Sequence, residues 1–296
     1  MSPTFCTDYT DLSEVRVTDP GRIGRLAKRR ARRTVADANG KMLIVAADHP
    51  ARGALGAGGD PHAMNSRVEL LDRLREALSN PAVDGVLGTP DVIEDLLLMG
   101  ALENKIVFAS MNRGGLQGGA WEIEDRMTAY DAASISEFGF DGGKMLTRID
   151  LDDERTSTTL QICADAVSDL ASRELIAMVE PFMSSRRGQQ IVNDLSPDAV
   201  IKSMHIAQGI GNTSAYTWLK LPAVDEMERV MEATTLPSLI LGGDPVGKDR
   251  DTVFASWQRA LAIGHVRGLV VGRSLLYPPD GDVAGAVATA AEMMNR

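Results

Sequence analysis

Eight short apolar runs, separated by longer stretches of helical period, constrain this chain more than any other feature. They lie at 42–48, 85–89, 106–112, 142–150, 175–182, 216–222, 238–243 and 268–273. Most are rich in Val, Ile and Leu and bounded by Gly, Pro or Asp, as strands buried on both faces are. Between them, 64–79 predicts a helix with Val68, Leu71, Leu74, Arg75 and Leu78 along one stripe, and 157–172 and 249–263 carry the same period. Ser196 before Pro197 reads as an N-cap with proline in the first turn. Eight such alternations fit a closed barrel or a doubly wound open sheet. Residues 51–59 (ARGALGAGG), after the first run, lack the G-x-G-x-x-G of a dinucleotide fold. Eight units within ~235 residues match the barrel count without leftovers. The prediction is a single (β/α)8 TIM barrel over 41–296, preceded by an N-terminal helical extension over 1–40.

Charge narrows the partners. A net charge of −10 repels phosphate backbones and argues against nucleic acid as a partner. Two cysteines, Cys6 and Cys163, make a disulfide framework unexpected and suit a reducing cytoplasm. No apolar run reaches membrane-spanning length, and the first residues lack the apolar core of a signal peptide. The expectation is a cytoplasmic protein with no membrane partner; a homo-oligomer is left open. One segment runs against the acidic balance: Arg22 to Arg33 (RIGRLAKRRARR). It reads as an amphipathic helix with Ile23 and Leu26 turned inward, or as an anion or subunit contact.

In such a barrel, chemistry belongs at the C-terminal ends of the strands. Strand one ends Asp48-His49, strand four carries Lys144 and Arg148, and strand five ends Glu180-Pro181. Strand six carries Lys220, and strands seven and eight end in Gly242-Gly243 and Gly272-Arg273. Only seven of the 31 basic residues are lysines, so a lysine inside an apolar strand stands out. Side chains alternate along a strand, so if Leu219 and Leu221 pack under the helices, Lys220 points into the lumen with Trp218. Enclosure disfavours an ammonium, and a neutral amine attacks a carbonyl to form a Schiff base, which arginine cannot do. Lys144 has the same logic, and the two amines are expected to face each other across the lumen. Lys202 reads as surface charge.

Glu180 and Asp48 are candidates for proton transfer, or charge partners of the lysines. Gly242, Gly243, Gly272 and Arg273 are candidate phosphate ligands, because glycine lets backbone N–H groups approach an anion. Arg52 and Arg148 join them as substrate-binding cations. Rival motifs are weaker. Gly242 to Lys248 imitates a phosphate-binding loop, but Asp249 stands where Ser or Thr should hold magnesium, and Pro245 removes a donor. The four histidines, His49, His62, His205 and His265, have no ligand spacing, so no metal and no cofactor is expected. Neither cysteine falls at a strand end, which leaves a thiol nucleophile unsupported.

Taken in order, these residues resemble a known family. Ala46-Ala47-Asp48-His49, Lys144-Met145-Leu146, Glu180-Pro181, Leu219 to Pro222, and Gly272-Arg273 are similar to the strand-end runs of the class I, Schiff-base aldolases. The group comprises deoxyribose-phosphate, archaeal-type fructose-bisphosphate and tagatose-bisphosphate aldolases. The resemblance implies Lys220 as imine lysine, Lys144 and Glu180 as positioning and proton-shuttling groups, and Asp48 on the substrate hydroxyls or the proton. It implies Gly243, Gly272 and Arg273 as phosphate ligands. The sequence departs from the group in the longer gap before Arg52 and in the glycine-rich segments 52–61 and 114–119. It also resembles an actinobacterial branch linked to inositol breakdown. That branch implies cleavage of 5-dehydro-2-deoxyphosphogluconate to dihydroxyacetone phosphate and malonate semialdehyde. The alternatives are a sugar-phosphate isomerase or epimerase, and a barrel that senses a sugar phosphate without turnover.

Overall fold

The computed structural model describes residues 5–35, 40–243 and 250–294. Nine strands follow in chain order: β1 (Met42–Ala46), β2 (Gly85–Gly88), β3 (Ile106–Ser110), β4 (Gly142–Ile149), β5 (Ile176–Arg187), β6 (Gln190–Asn193), β7 (Thr217–Pro222), β8 (Ser238–Leu241) and β9 (Val266–Val271). The order β4-β3-β2-β1-β9-β8-β7-β5 is closed by pairing of β4 with β5, and all eight of these strands run parallel. The predicted (β/α)8 barrel is therefore the fold, and each apolar run supplies one of its strands.

Alternation divides each strand between two cores. Met42, Ile44, Leu87, Phe108, Met178, Leu239 and Val270 fill the lumen. Their neighbours Leu43, Val45, Val86, Val107, Val179, Leu219, Leu221 and Leu269 belong to the second core, with residues of the helices. The helices are α1 (Tyr9–Thr18), α2 (Gly21–Arg29), α3 (Arg67–Ser79), α4 (Pro90–Leu98), α5 (Ala132–Phe138), α6 (Arg155–Ala171), α7 (Pro197–Ala207), α8 (Met227–Met231), α9 (Arg250–Leu261), α10 (Arg273–Leu276) and α11 (Val283–Met294). Ser196 caps α7 as expected, accepting from the Ala199 amide, with Pro197 at the first position. The stripe expected on α3 holds at Leu71, Leu74 and Leu78, which make the buried face together with Leu70 and Ala77. It is corrected at Val68, which is 45 % exposed, and at Arg75, which is also exposed.

Two features were not expected. Strand β5 continues past its apolar part, and Ser184 to Arg187 pair antiparallel with β6 to form a hairpin beyond the barrel wall. The basic N-terminal segment is the expected amphipathic helix with Ile23 and Leu26 turned inward, but the arginines that follow it are not all solvated. Leu26 and Ala27 turn into the main core. Buried Arg30 donates to the carbonyls of Lys105 and Gly139, at 2.7 and 2.9 Å, and lies 3.7 Å from Asp141. Arg33 pairs with Asp84 at 2.7 Å and Lys28 with Glu137 at 2.8 Å. Asp84, Lys105 and Asp141 each directly precede a barrel strand, so the segment clasps the N-terminal end of the barrel.

Gly268 shows how tightly the wall is built. Its φ is +128°, and a Cβ there would stand 1.9 Å from the Met42 carbonyl oxygen of the paired strand. Only glycine satisfies both the dihedral and the approach. Gly268→Ala is expected to lower the melting temperature by roughly 10 °C or to leave the protein insoluble, as read by calorimetry or circular dichroism. An alanine variant that melts with the wild type would contradict this packing.

Candidate active site

Above the apolar floor of the lumen, the strands change character. Lys144 on β4, Glu180 on β5 and Lys220 on β7 point inward, where alternation requires them to point. Lys220 retains 3 % of its surface, and Lys144, Glu180 and Asp48 are buried with it. Lys220 Nζ donates to Glu180 Oε1 at 2.7 Å. Lys144 Nζ pairs with Glu180 Oε2 and, at 3.1 Å, with Asp48 Oδ2. Strand β5 lies between β4 and β7. The two amines therefore do not face each other across the lumen as expected. They flank Glu180, which lies between them.

Asp48, two residues past β1, is held from the other side. Arg113 Nη2 lies 2.8 Å from its Oδ2, and Ser110 Oγ donates to the same oxygen at 3.3 Å. Arg113 Nη1 also donates to the Asp48 carbonyl at 2.8 Å. The result is a buried series of alternating charge: Arg113, Asp48, Lys144, Glu180, Lys220. Burial alone would starve these groups of solvation, and each is tolerated because its neighbour carries the opposite sign.

The electrostatics follow from that order. Burial pushes the Glu180 carboxyl up, but Lys144 and Lys220 overcome it and hold it at about 2. Burial opposes Asp48 likewise, yet Arg113 and Lys144 carry it well below the usual carboxylate range. Burial pushes Lys144 down to about 8, against the pull of Asp48 and Glu180 and with help from Lys220 and Arg113. Burial pushes His49 down to about 3, against the pull of Asp48 and with help from Arg273, Lys220 and Lys144, so the ring is neutral at pH 7.

The remaining candidates divide. Gly243, with φ +64°, and half-buried Arg273 lie at the ends of β8 and β9. A Cβ on Gly272 would stand 2.3 Å from the Ala46 carbonyl, and one on Gly242 would stand 2.4 Å from Val271, so both glycines serve close packing at the rim. Arg273 Nη1 reaches the Gly56 carbonyl at 3.5 Å. Arg52 and Arg148 are corrected. Arg52 donates to the carbonyls of Gly115 and Asn112, at 2.9 and 2.8 Å, and pairs with Asp125. Arg148 pairs with Glu122 and donates to its carbonyl at 3.0 Å. Both guanidinium groups are thus engaged in fastening segment 112–125 rather than open to a phosphate.

Lys202 is exposed on α7. Both cysteines are free and buried, and burial pushes Cys163 up to about 12. Residues 244–249, which carry most of the phosphate-loop imitation, lie outside the described residues. Among the described residues, no three His, Cys, Asp or Glu side chains gather as metal ligands do, and no helix is long and apolar enough to cross a membrane. Sequence reading missed Arg113. Its signal is an arginine one residue past the apolar run 106–112.

A family model described as Cgl0159-like matches residues 40–291. The crystal structure of Cgl0159 from Corynebacterium glutamicum superposes with a TM-score of 0.95 at 51 % identity, covering 99 % of each chain. A Schiff-base-forming fructose-1,6-bisphosphate aldolase aligns with a TM-score of 0.62 at 17 % identity, over 92 % of this chain and 99 % of its own. An archaeal fructose-1,6-bisphosphate aldolase, with its catalytic Lys covalently bound to the carbinolamine intermediate of the substrate, aligns with a TM-score of 0.63 at 16 % identity, over 93 % of this chain and all of its own (100 %). At such identities the two aldolases share the fold with this chain. No curated protein matches it.

Glu180 is the group whose loss the cluster tolerates least, because Lys220 would lose its carboxylate partner beside Lys144, which would keep only Asp48. Glu180→Leu is expected to cost about 3–5 kcal/mol in urea denaturation at pH 7. Its folded pKa of about 2 lies below the ordinary glutamate value of 4.5, so its stabilisation is complete above 4.5 and disappears as pH falls through 2. The stabilities of wild type and variant should therefore converge across that acid window. A gap that persists unchanged below it would show that the cost is packing and not charge.

Proposed function

Within the Cgl0159-like family, to which this chain belongs, we propose a class I aldolase that cleaves a phosphorylated keto sugar or keto sugar acid through an imine on Lys220. The observation that carries this reading is a primary amine in the barrel lumen, 2.7 Å from a carboxylate that a second amine also holds. Lys220 first releases its proton to solvent by way of Glu180, 2.7 Å away; the free amine adds to the substrate carbonyl, and the carbinolamine loses water to leave a protonated imine. Lys144, with a pKa of about 8, supplies a proton to the departing hydroxyl at neutral pH.

Glu180 then takes the proton of the hydroxyl carried by the carbon two bonds from the imine carbon. The carbon–carbon bond breaks, its electron pair moves into the imine, and an aldehyde leaves. The positive charge beside Glu180 vanishes as the enamine forms, which raises the carboxylate's proton affinity in the step that needs it. Return of a proton to the enamine carbon and hydrolysis of the imine free the ketone and restore Lys220. Gly243, Gly272 and Arg273 hold the phosphate, and Asp48 orients the hydroxyls. Arg113, Lys144 and Lys220 outnumber Asp48 and Glu180, so the cavity is locally positive in a chain of net charge −10, which favours entry of an anion. The finer assignment, 5-dehydro-2-deoxyphosphogluconate giving dihydroxyacetone phosphate and malonate semialdehyde, fits the single phosphate site of this reading.

Borohydride reduction with dihydroxyacetone phosphate, followed by peptide mass analysis, is expected to place an adduct on Lys220 and none in Lys220→Met. An adduct on Lys144 would transfer the nucleophile's role to β4. A protein that forms no adduct yet interconverts phosphosugars would be an isomerase. The pH profile adds a second check. Turnover should fall as pH rises through about 8, where Lys144 loses its proton, and Lys144→Met should lack that alkaline limb.

A further inference from the structure

Arg113 belongs to neither group of residues assigned so far. It is buried just beyond the C-terminal end of β3, with its guanidinium turned onto Asp48. Nε donates to the Asn112 carbonyl, Nη1 to the Asp48 carbonyl, each at 2.8 Å, and Nη2 lies 2.8 Å from Asp48 Oδ2. A planar fork fixed at three points makes a rigid brace, which a flexible lysine could not reproduce fully. Its partner oxygen, Asp48 Oδ2, is the one that contacts Lys144 Nζ.

We propose that Arg113 is a positioning residue, which braces Asp48 against Lys144 and so governs proton transfer by the β4 amine. The proposal rests on the imine reading above and deepens it. Two effects act together. Geometrically, the brace keeps Oδ2 3.1 Å from the amine, so the proton has a fixed direction to travel. Electrostatically, Arg113 shares the charge of Asp48, which would otherwise fall on Lys144 alone and tighten its hold on the proton. The charged groups facing Lys144 are Asp48 and, behind it, His49 from the end of β1, Arg113 from the end of β3, Glu180 from β5 and Lys220 from β7. Of these cations, Arg113 alone reaches Lys144 through Asp48 without contacting Glu180, the carboxylate that the imine lysine shares. Burial and the opposing cations already bring Lys144 to about 8, and removal of Arg113 shifts it upward.

The test compares wild type, Arg113→Met and Arg113→Lys. Exchange of the C3 proton of dihydroxyacetone phosphate into deuterium oxide, followed by NMR, reads enamine formation without needing the aldehyde. The expected result for Arg113→Met is a loss in kcat on the order of tenfold or more with KM within about threefold, and an alkaline limb moved up by roughly one pH unit. Arg113→Lys should restore part of the rate and most of the limb's position, and it stands in if the methionine variant fails to fold. In the Arg113→Met background, Asp48→Asn should add less than it costs alone, as coupled residues do. An unchanged pH profile in Arg113→Met, or an unchanged kcat in either folded variant, would overturn the proposal while leaving the imine in place. Borohydride trapping on the wild type separates the two ideas, since absence of the Lys220 adduct removes the imine reading and this proposal with it.

Discussion

The site depends on Glu180 being shared. A single buried carboxylate touches both Lys144 and Lys220, and it does so because β5 lies between β4 and β7 in the wall. Neither amine would be tolerated alone in an apolar lumen, and neither would the carboxylate. Asp48 and Arg113 extend the same compensation toward β1 and β3, so five buried charges from five neighbouring parts of the barrel stabilise one another. The closed parallel sheet is what allows this, since it brings strand ends distant in sequence into one ring.

Where the sequence spoke clearly, it did so through period and punctuation. Eight apolar runs became eight barrel strands, and alternation at Leu219, Lys220 and Leu221 placed the amine in the lumen while its neighbours packed outward. Polar segments gave no such signal. The β5–β6 hairpin is built from Ser184 to Arg187 and Gln190 to Asn193, where no apolar face marks a strand. The relation between the lysines was misjudged for a different reason. Strands four and six are separated by one strand, and in the closed wall that strand lies between them, so the carboxylate at its end sits between the two amines.

Arginine was the least legible residue. Arg52 and Arg148 were expected to hold substrate, yet each is consumed by an acid on the segment after β3: Asp125, 73 positions from Arg52, and Glu122, 26 positions from Arg148. Nothing local announces a partner so far along the chain. Arg113 was passed over for the same cause in reverse, since its partner Asp48 lies 65 positions earlier. A guanidinium near a strand end therefore says little until its acceptors are known, whereas a lysine flanked by apolar strand residues carries its meaning in its own neighbours.

The clasp formed by Arg30 and Arg33 sits at the foot of the barrel, on Asp141, Asp84 and the residues that open β2, β3 and β4. All the chemistry proposed for this chain is at the opposite rim. Strand length is the only distance between them, but the lumen floor of Phe108, Met178 and Leu239 insulates one from the other. The foot can accordingly drift over generations toward greater or lesser endurance, through changes in its own ion pairs, while the rim keeps its reaction. The fold thus divides its labour along the barrel axis: one end keeps the ring closed, and the other is at liberty to specialise.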